Sequence, residues 1–209
     1  MAFKRKIGDI TESSFYVNFE NINFRFHDVP GDGNCFYHSV LKCPSILRTY
    51  KSVEYLRSFL SSTVLCTIER DDILIRIFRF FNVGTNLWSA QILTMNEWAK
   101  QIDILLFSYL TKVNVISIGN YANGLLSNNM QLLLKLILGN NINDISLNGQ
   151  LYVYFHIFGS PLEKITNGNH FGYLEPTNET NIVLNNNTIE EVNAVEVSEW
   201  SYAQKWTHV

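Results

Sequence analysis

Apolar residues recur along this chain first at helical and then at strand spacing. Cys35 to Lys42 has no helix breaker and places Val40 four residues after Phe36 and Leu41 four after Tyr37, which predicts one helix ending near Pro44. Val53, Leu56, Leu60 and Val64 predict a second helix. Ile73, Leu74, Ile77, Phe78 and Phe81 predict a third, ended by Asn82 and Gly84. In "TMNEWAKQIDILLFSYLTK", Thr94 and Glu97 have capping-box spacing, and Trp98, Ile102, Leu105, Leu106, Tyr109 and Leu110 fall on one face, so the spacing predicts a helix opening at Thr94. The pattern then changes. "VNVISI" (113–118) and "LYVYFHIF" (151–158) are rich in β-branched and aromatic residues and read as buried strands, and "HFGYLEP" reads as another that starts at His170 and ends before Pro176. Between the first two strands, "MQLLLKLIL" fits a short helix or a strand equally well. Upstream, the alternation from Arg25 is short, and Pro30, Gly31 and Gly33 break it into a loop just before Cys35.

Helices followed by strands imply an α+β domain. With 209 residues, 46% hydrophobic and 17% charged, the chain can bury one good core but not two with linkers. A net charge of −3 with dispersed lysines and arginines excludes the clustered basic face that nucleic-acid binding requires. Three cysteines at irregular spacing (Cys35, Cys43, Cys66) fit neither a disulfide framework nor a zinc site, and no cofactor motif is present. The basic start "MAFKRKIGDITESSF" has no apolar stretch behind it, and no apolar run is long enough for a membrane span. A soluble, monomeric, cytoplasmic protein without cofactor, nucleic acid or membrane partner is the expectation. The 24 asparagines thicken in 120–150 and 185–193, where they mark turns and loops more than chemistry.

Candidate chemistry centres on "PGDGNCFY", residues 30–37. A cysteine thiol, with an ordinary pKa of about 8.5, becomes a useful nucleophile when a helix start or an imidazolium lowers that value. Cys35 begins a predicted helix directly behind a glycine-rich turn, whose backbone N–H groups could receive the oxyanion of an attacked carbonyl. A base is also needed. His38 lies on the same helix three residues on, His156 sits inside an apolar strand, and His27 and His208 have no supporting context. His170 starts a strand after a polar turn, where an imidazole can face a helix N-terminus. Taken singly, either residue would more often be structural.

Together they resemble a known pair. "GDGNCF" resembles the nucleophile motif of the ovarian-tumour (OTU) family of cysteine deubiquitinases, matched by Asp32, Gly33, Asn34, Cys35 and Phe36. "NHFGYL" is similar to the family's histidine motif, matched by His170 and Phe171. "EWAKQIDILLFSYLTKVNVISI" resembles its tryptophan-led helix and central strand. The resemblance spans residues 25–177, leaving 1–24 as an N-terminal extension and 178–209 as a C-terminal one packed on the domain. It implies a papain-like α+β fold with a small central sheet flanked by helices. It also implies hydrolysis of an isopeptide or peptide bond after the C-terminal glycine of ubiquitin or a ubiquitin-like modifier, through a thioester. Cys35 would be the nucleophile, His170 the base, and Asp32 would shape the oxyanion loop by its turn geometry. Divergence and asparagine content point to a viral or parasite-encoded member, acting in the host cytosol if viral.

One position departs from the pattern. The family commonly has Asp or Asn two residues after the histidine, on the same strand face; here that residue is Gly172. The third member is then Asn167, Asn169 or Asp28, or a Cys/His dyad works without one. Two alternatives to a deubiquitinase are a polyprotein-processing cysteine protease of the same fold and a noncatalytic ubiquitin-binding module.

Overall fold

A computed structural model describes residues 16–20, 22–121, 124–139, 147, 149–156 and 170–177. The chain divides after Asn178. The C-terminal extension expected to pack on the domain lies outside the described residues, as do Asn167, Asn169 and His208.

Among the described residues six strands form one mixed sheet: β1 (Tyr16–Phe19), β2 (Ile22–His27), β3 (Val113–Tyr121), β4 (Gly124–Asn129), β5 (Gly149–His156) and β6 (His170–Pro176), in the order β1-β2-β6-β5-β3-β4. β3 and β5 run parallel, and every other neighbour pair is antiparallel. Seven α-helices among the described residues accompany the sheet: α1 (Cys35–Leu41), α2 (Pro44–Tyr50), α3 (Val53–Thr67), α4 (Asp72–Phe80), α5 (Thr85–Leu93), α6 (Gln101–Thr111) and α7 (Met130–Leu138). The architecture is α+β, with Cys35 as the first residue of a helix. No helix among the described residues is long and apolar enough to cross a membrane.

Local chemistry explains most of the boundaries. Ser52 caps α3 by accepting from Tyr55 N–H at 3.2 Å. Asp71 caps α4 by accepting from Ile73 and Leu74 N–H at 3.0 and 3.1 Å, and Asn129 caps α7 in the same way. The open segment "MQLLLKLIL" is therefore helical. α1 ends at Leu41, near Pro44 as expected, and Pro44 itself stands in the first turn of α2, where its missing N–H costs nothing. Lys112 turns left-handed and passes α6 directly into β3.

Two expectations need correction. The stretch read as an N-terminal extension already contains β1 and the first half of β2, so among the described residues the sheet begins at Tyr16. The helix expected to open at Thr94 starts at Gln101 instead. Thr94 closes α5, and Asn96 adopts φ 66, a left-handed turn that no helix continues through. The capping box is formed later, with Lys100 N–H donating to Asp103 Oδ2 at 2.6 Å. Trp98 accordingly lies outside the helix and is 45% exposed.

The sheet is packed on both faces. On one, Phe24, Phe26, Ile116, Ile118, Tyr152 and Leu174 form a buried cluster with Val17. On the other, the Phe171 ring meets Phe36 of α1 at 5.5 Å in an edge-to-face contact. Phe36 also packs edge-on to Phe107 of α6 at 5.8 Å, so one ring joins α1 to both sheet and helices.

Candidate active site

The turn before Cys35 is held at several points. Gly33 has φ +84, and a Cβ there would run into the backbone of Asn96, carbonyl first, so both conformation and space require glycine. The Asp32 carboxylate accepts from Asn34 N–H at 2.9 Å and from His38 Nε2 at 3.3 Å. Burial pushes the Asp32 carboxyl up, but the Asn34 N–H and the His38 ring outweigh it and leave it below the ordinary aspartate value. Asn34 is buried and makes a reciprocal pair with Asn96. Its Nδ2 donates to Asn96 Oδ1 at 2.9 Å, and its Oδ1 accepts from Asn96 N–H at 3.3 Å.

Cys35 follows, 1% exposed, with its carbonyl accepting from Ser39 Oγ at 2.7 Å. All three cysteines are free thiols. Cys43 is half-buried with its sulfur 3.2 Å from Ser45 Oγ, and Cys66 is exposed. Neither has a comparable turn before it.

β6 brings the second motif to α1. His170 is the first residue of the strand, and its backbone pairs with His156 of β5. The Phe36–Phe171 contact joins the residue after Cys35 to the residue after His170, and so docks one motif on the other. His27 is engaged elsewhere, its Nε2 2.8 Å from Glu175 Oε2, and His38 is paired with Asp32.

The Gly172 position is filled from outside the strand. A Cβ at 172 would overlap the ring edge of Phe26 and lie 3.1 Å from the carbonyl oxygen of His27. Phe26 is itself buried in the sheet cluster. The side chain absent at 172 is thus replaced in space by an apolar ring, which cannot accept a hydrogen bond as a carboxylate or amide would. β2 pairs with β6 as far as His27 with Tyr173, and Asp28 is the next residue of the chain. Asp28 is exposed and its Oδ1 accepts from Val29 N–H at 2.9 Å. Among the described residues, no group of three or more His, Cys, Asp or Glu side chains is arranged to hold a metal ion.

No family model matches the chain, and no curated protein sequence matches it. Solved structures do. It is similar to the viral OTU domain protease from Dera Ghazi Khan virus, at 13% identity over 80% of this chain and 97% of that one, with a TM-score of 0.47. It is similar to the Hazara virus OTU bound to ubiquitin, at 16% identity over 80% and 98%, with a TM-score of 0.45. The OTUD1 OTU domain matches at 16% identity over 72% and 83%, with a TM-score of 0.46. These similar structures are OTU domains.

Beyond the OTU-like motifs, the site depends on residues that the sequence patterns did not single out. Asn96 was hidden inside an assumed helix. Arg57 lies in the buried stripe of α3, between Val53 and Leu60, and a charge at that position was the available signal. Trp88 and Asp103, joined by a 2.6 Å hydrogen bond from the indole N–H, are likewise buried polar anchors under the loop that leads to α6.

Proposed function

We propose that this protein is an OTU-type cysteine hydrolase that cleaves the isopeptide or peptide bond after the C-terminal glycine of ubiquitin or a related modifier. The observation that carries the reading is the Phe36–Phe171 contact, because it draws together two motifs far apart in the chain, each next to a residue able to do half of the chemistry.

His170 takes the proton of the Cys35 thiol, and the thiolate attacks the scissile carbonyl. The carbonyl oxygen becomes an oxyanion beside the backbone of the Asp32–Cys35 turn, which the Asp32 carboxylate and Asn34 side chain hold in shape. Collapse of this intermediate breaks the C–N bond. His170 gives its proton to the leaving amine, and a Cys35 thioester remains. Water, losing a proton to His170, then attacks the thioester, releasing the modifier's carboxylate and restoring the thiol. Gly172 offers no side chain for this task, and Asp28, the residue after the His27–Tyr173 pair, is the one we assign to orienting the imidazole.

The test uses ubiquitin carrying a fluorogenic C-terminal amide. Wild-type protein should release the fluorophore, and Cys35→Ala and His170→Ala should each remove the activity while leaving ubiquitin binding intact. Binding without turnover by the wild type would make the protein a ubiquitin-binding module instead.

A further inference from the structure

Arg57 and the loop joining α5 to α6 form a clamp on the turn before Cys35. The Arg57 side chain, from α3, is 1% exposed. Its Nη1 donates to the carbonyls of Ile92 at 2.8 Å and Thr94 at 3.0 Å, and its Nη2 donates to that of Glu97 at 2.6 Å. One guanidinium thus holds the loop on both sides of Asn96. The same group lies over the ring of Tyr37, 4.1 Å from its centroid, and Tyr37 belongs to the first turn of α1. Arg57 therefore ties the loop to the helix that Cys35 begins.

Asn96 completes the clamp from the loop side. Its left-handed backbone turns the carbonyl against Gly33, and its side chain and N–H hold both ends of the Asn34 amide. Gly33 and Asn34 are the two residues directly before Cys35. Displacing the loop must therefore displace the backbone on which an oxyanion would form. A charged side chain buried against three carbonyls is costly to desolvate, so a plain apolar residue would hold α3 in the core more cheaply. What the fork supplies is a fixed loop position, because its planar donors allow only a narrow range of placements.

Resting on the hydrolase reading above, we propose that Arg57 and Asn96 are positioning residues of the reaction: they act through Gly33 and Asn34 to hold the oxyanion-forming turn, and do not act on the Cys35 thiol. The distinction is measurable. Hydrolysis of an amide develops an oxyanion, whereas alkylation of the same sulfur by iodoacetamide does not. A loosened turn slows the first and spares the second.

The experiment compares Asn96→Gly, Asn96→Asp, Arg57→Lys and the double variant Arg57→Lys/Asn96→Gly with wild type. Glycine tolerates the left-handed backbone at 96 and deletes only the side-chain acceptor; aspartate restores an acceptor oxygen. Measured are kcat and KM on ubiquitin with a C-terminal fluorogenic amide, the rate of iodoacetamide alkylation at Cys35 by peptide mass spectrometry, and Tm. Asn96→Gly should lower kcat about ten- to a hundredfold, the scale of a small misplacement of reacting groups. KM and the alkylation rate should stay within about twofold, and Asn96→Asp should recover most of the loss. Arg57→Lys should also lower kcat, and the double variant should be no slower than the slower single one, since both act on one turn. An unchanged kcat in Asn96→Gly, a parallel fall in alkylation, or multiplying losses in the double variant would overturn the clamp. If wild type alkylates at Cys35 yet hydrolyses no ubiquitin amide, the hydrolase reading itself fails, and the clamp's role in it with it.

Discussion

Replacing Gly172 with asparagine, the residue type OTU-like chains commonly carry there, should damage this protein rather than improve it. Gly172 is buried, and its missing Cβ would lie within the ring edge of Phe26, which sits in the cluster with Phe24, Tyr152 and Leu174. Phe26 can yield only by pressing on those neighbours or by leaving the core. Overpacking costs about 1–3 kcal/mol, and an amide left short of partners in this apolar setting adds about 1–3 kcal/mol. Gly172→Asn should therefore destabilise by about 2–6 kcal/mol in urea unfolding, with turnover no higher than wild type. Phe26→Leu removes the ring atoms at issue and should cost about 1–2 kcal/mol alone by the cavity it leaves. Because the two changes compete for one space, the double variant should lose about 1–3 kcal/mol less than the sum of the singles. A Gly172→Asn protein within 0.5 kcal/mol of wild type, or strict additivity with Phe26→Leu, would refute the idea that Phe26 occupies the missing side chain's place.

Three further outcomes are expected. Asp28→Ala should slow hydrolysis about a hundredfold or more, since losing the orienting carboxylate of a serine-enzyme triad costs up to about ten-thousandfold; a loss below about tenfold would mean that Cys35 and His170 work as an unaided pair. The Asp32 carboxyl lies below its ordinary value of 3.8 in the folded state, so its contribution is complete above that pH and is lost as pH falls through the lowered value. Unfolding free energy measured between pH 2 and 5 should accordingly drop less steeply in Asp32→Asn than in wild type, and equal slopes would count against the Asp32 turn. Trp88→Phe removes the indole donor from the buried Asp103 carboxylate, which burial already pushes above its ordinary pKa, and should cost about 1–3 kcal/mol in thermal or urea unfolding.

The local signals in the sequence were good wherever one residue decided the structure. Val53, Leu56, Leu60 and Val64 are all buried on α3, and the strand read from His170 and expected to end before Pro176 is observed, with Pro176 as its last residue. The glycine at 33 announced a turn, and its φ of +84 is that turn. Longer-range causes were less visible. Thr94 and Glu97 have a helix-opening pattern, yet Thr94 is used to end α5 and Glu97 gives its carbonyl to Arg57, a residue on another helix. β1 was missed because a four-residue edge strand carries too little alternation to stand out, and it is stabilised by pairing with β2. The consequence of Gly172 was equally hidden, since the ring that fills its place comes from β2, almost 150 residues earlier.

The central claim is that Cys35 is the nucleophile of a ubiquitin-directed hydrolase. Ubiquitin bearing an electrophile in place of its C-terminal carboxylate tests it directly, with the adduct located by peptide mass spectrometry. A single covalent adduct on Cys35, absent in Cys35→Ala and strongly slowed in His170→Ala, is the predicted result. No adduct, or one that persists on Cys43 or Cys66 in Cys35→Ala, would contradict it.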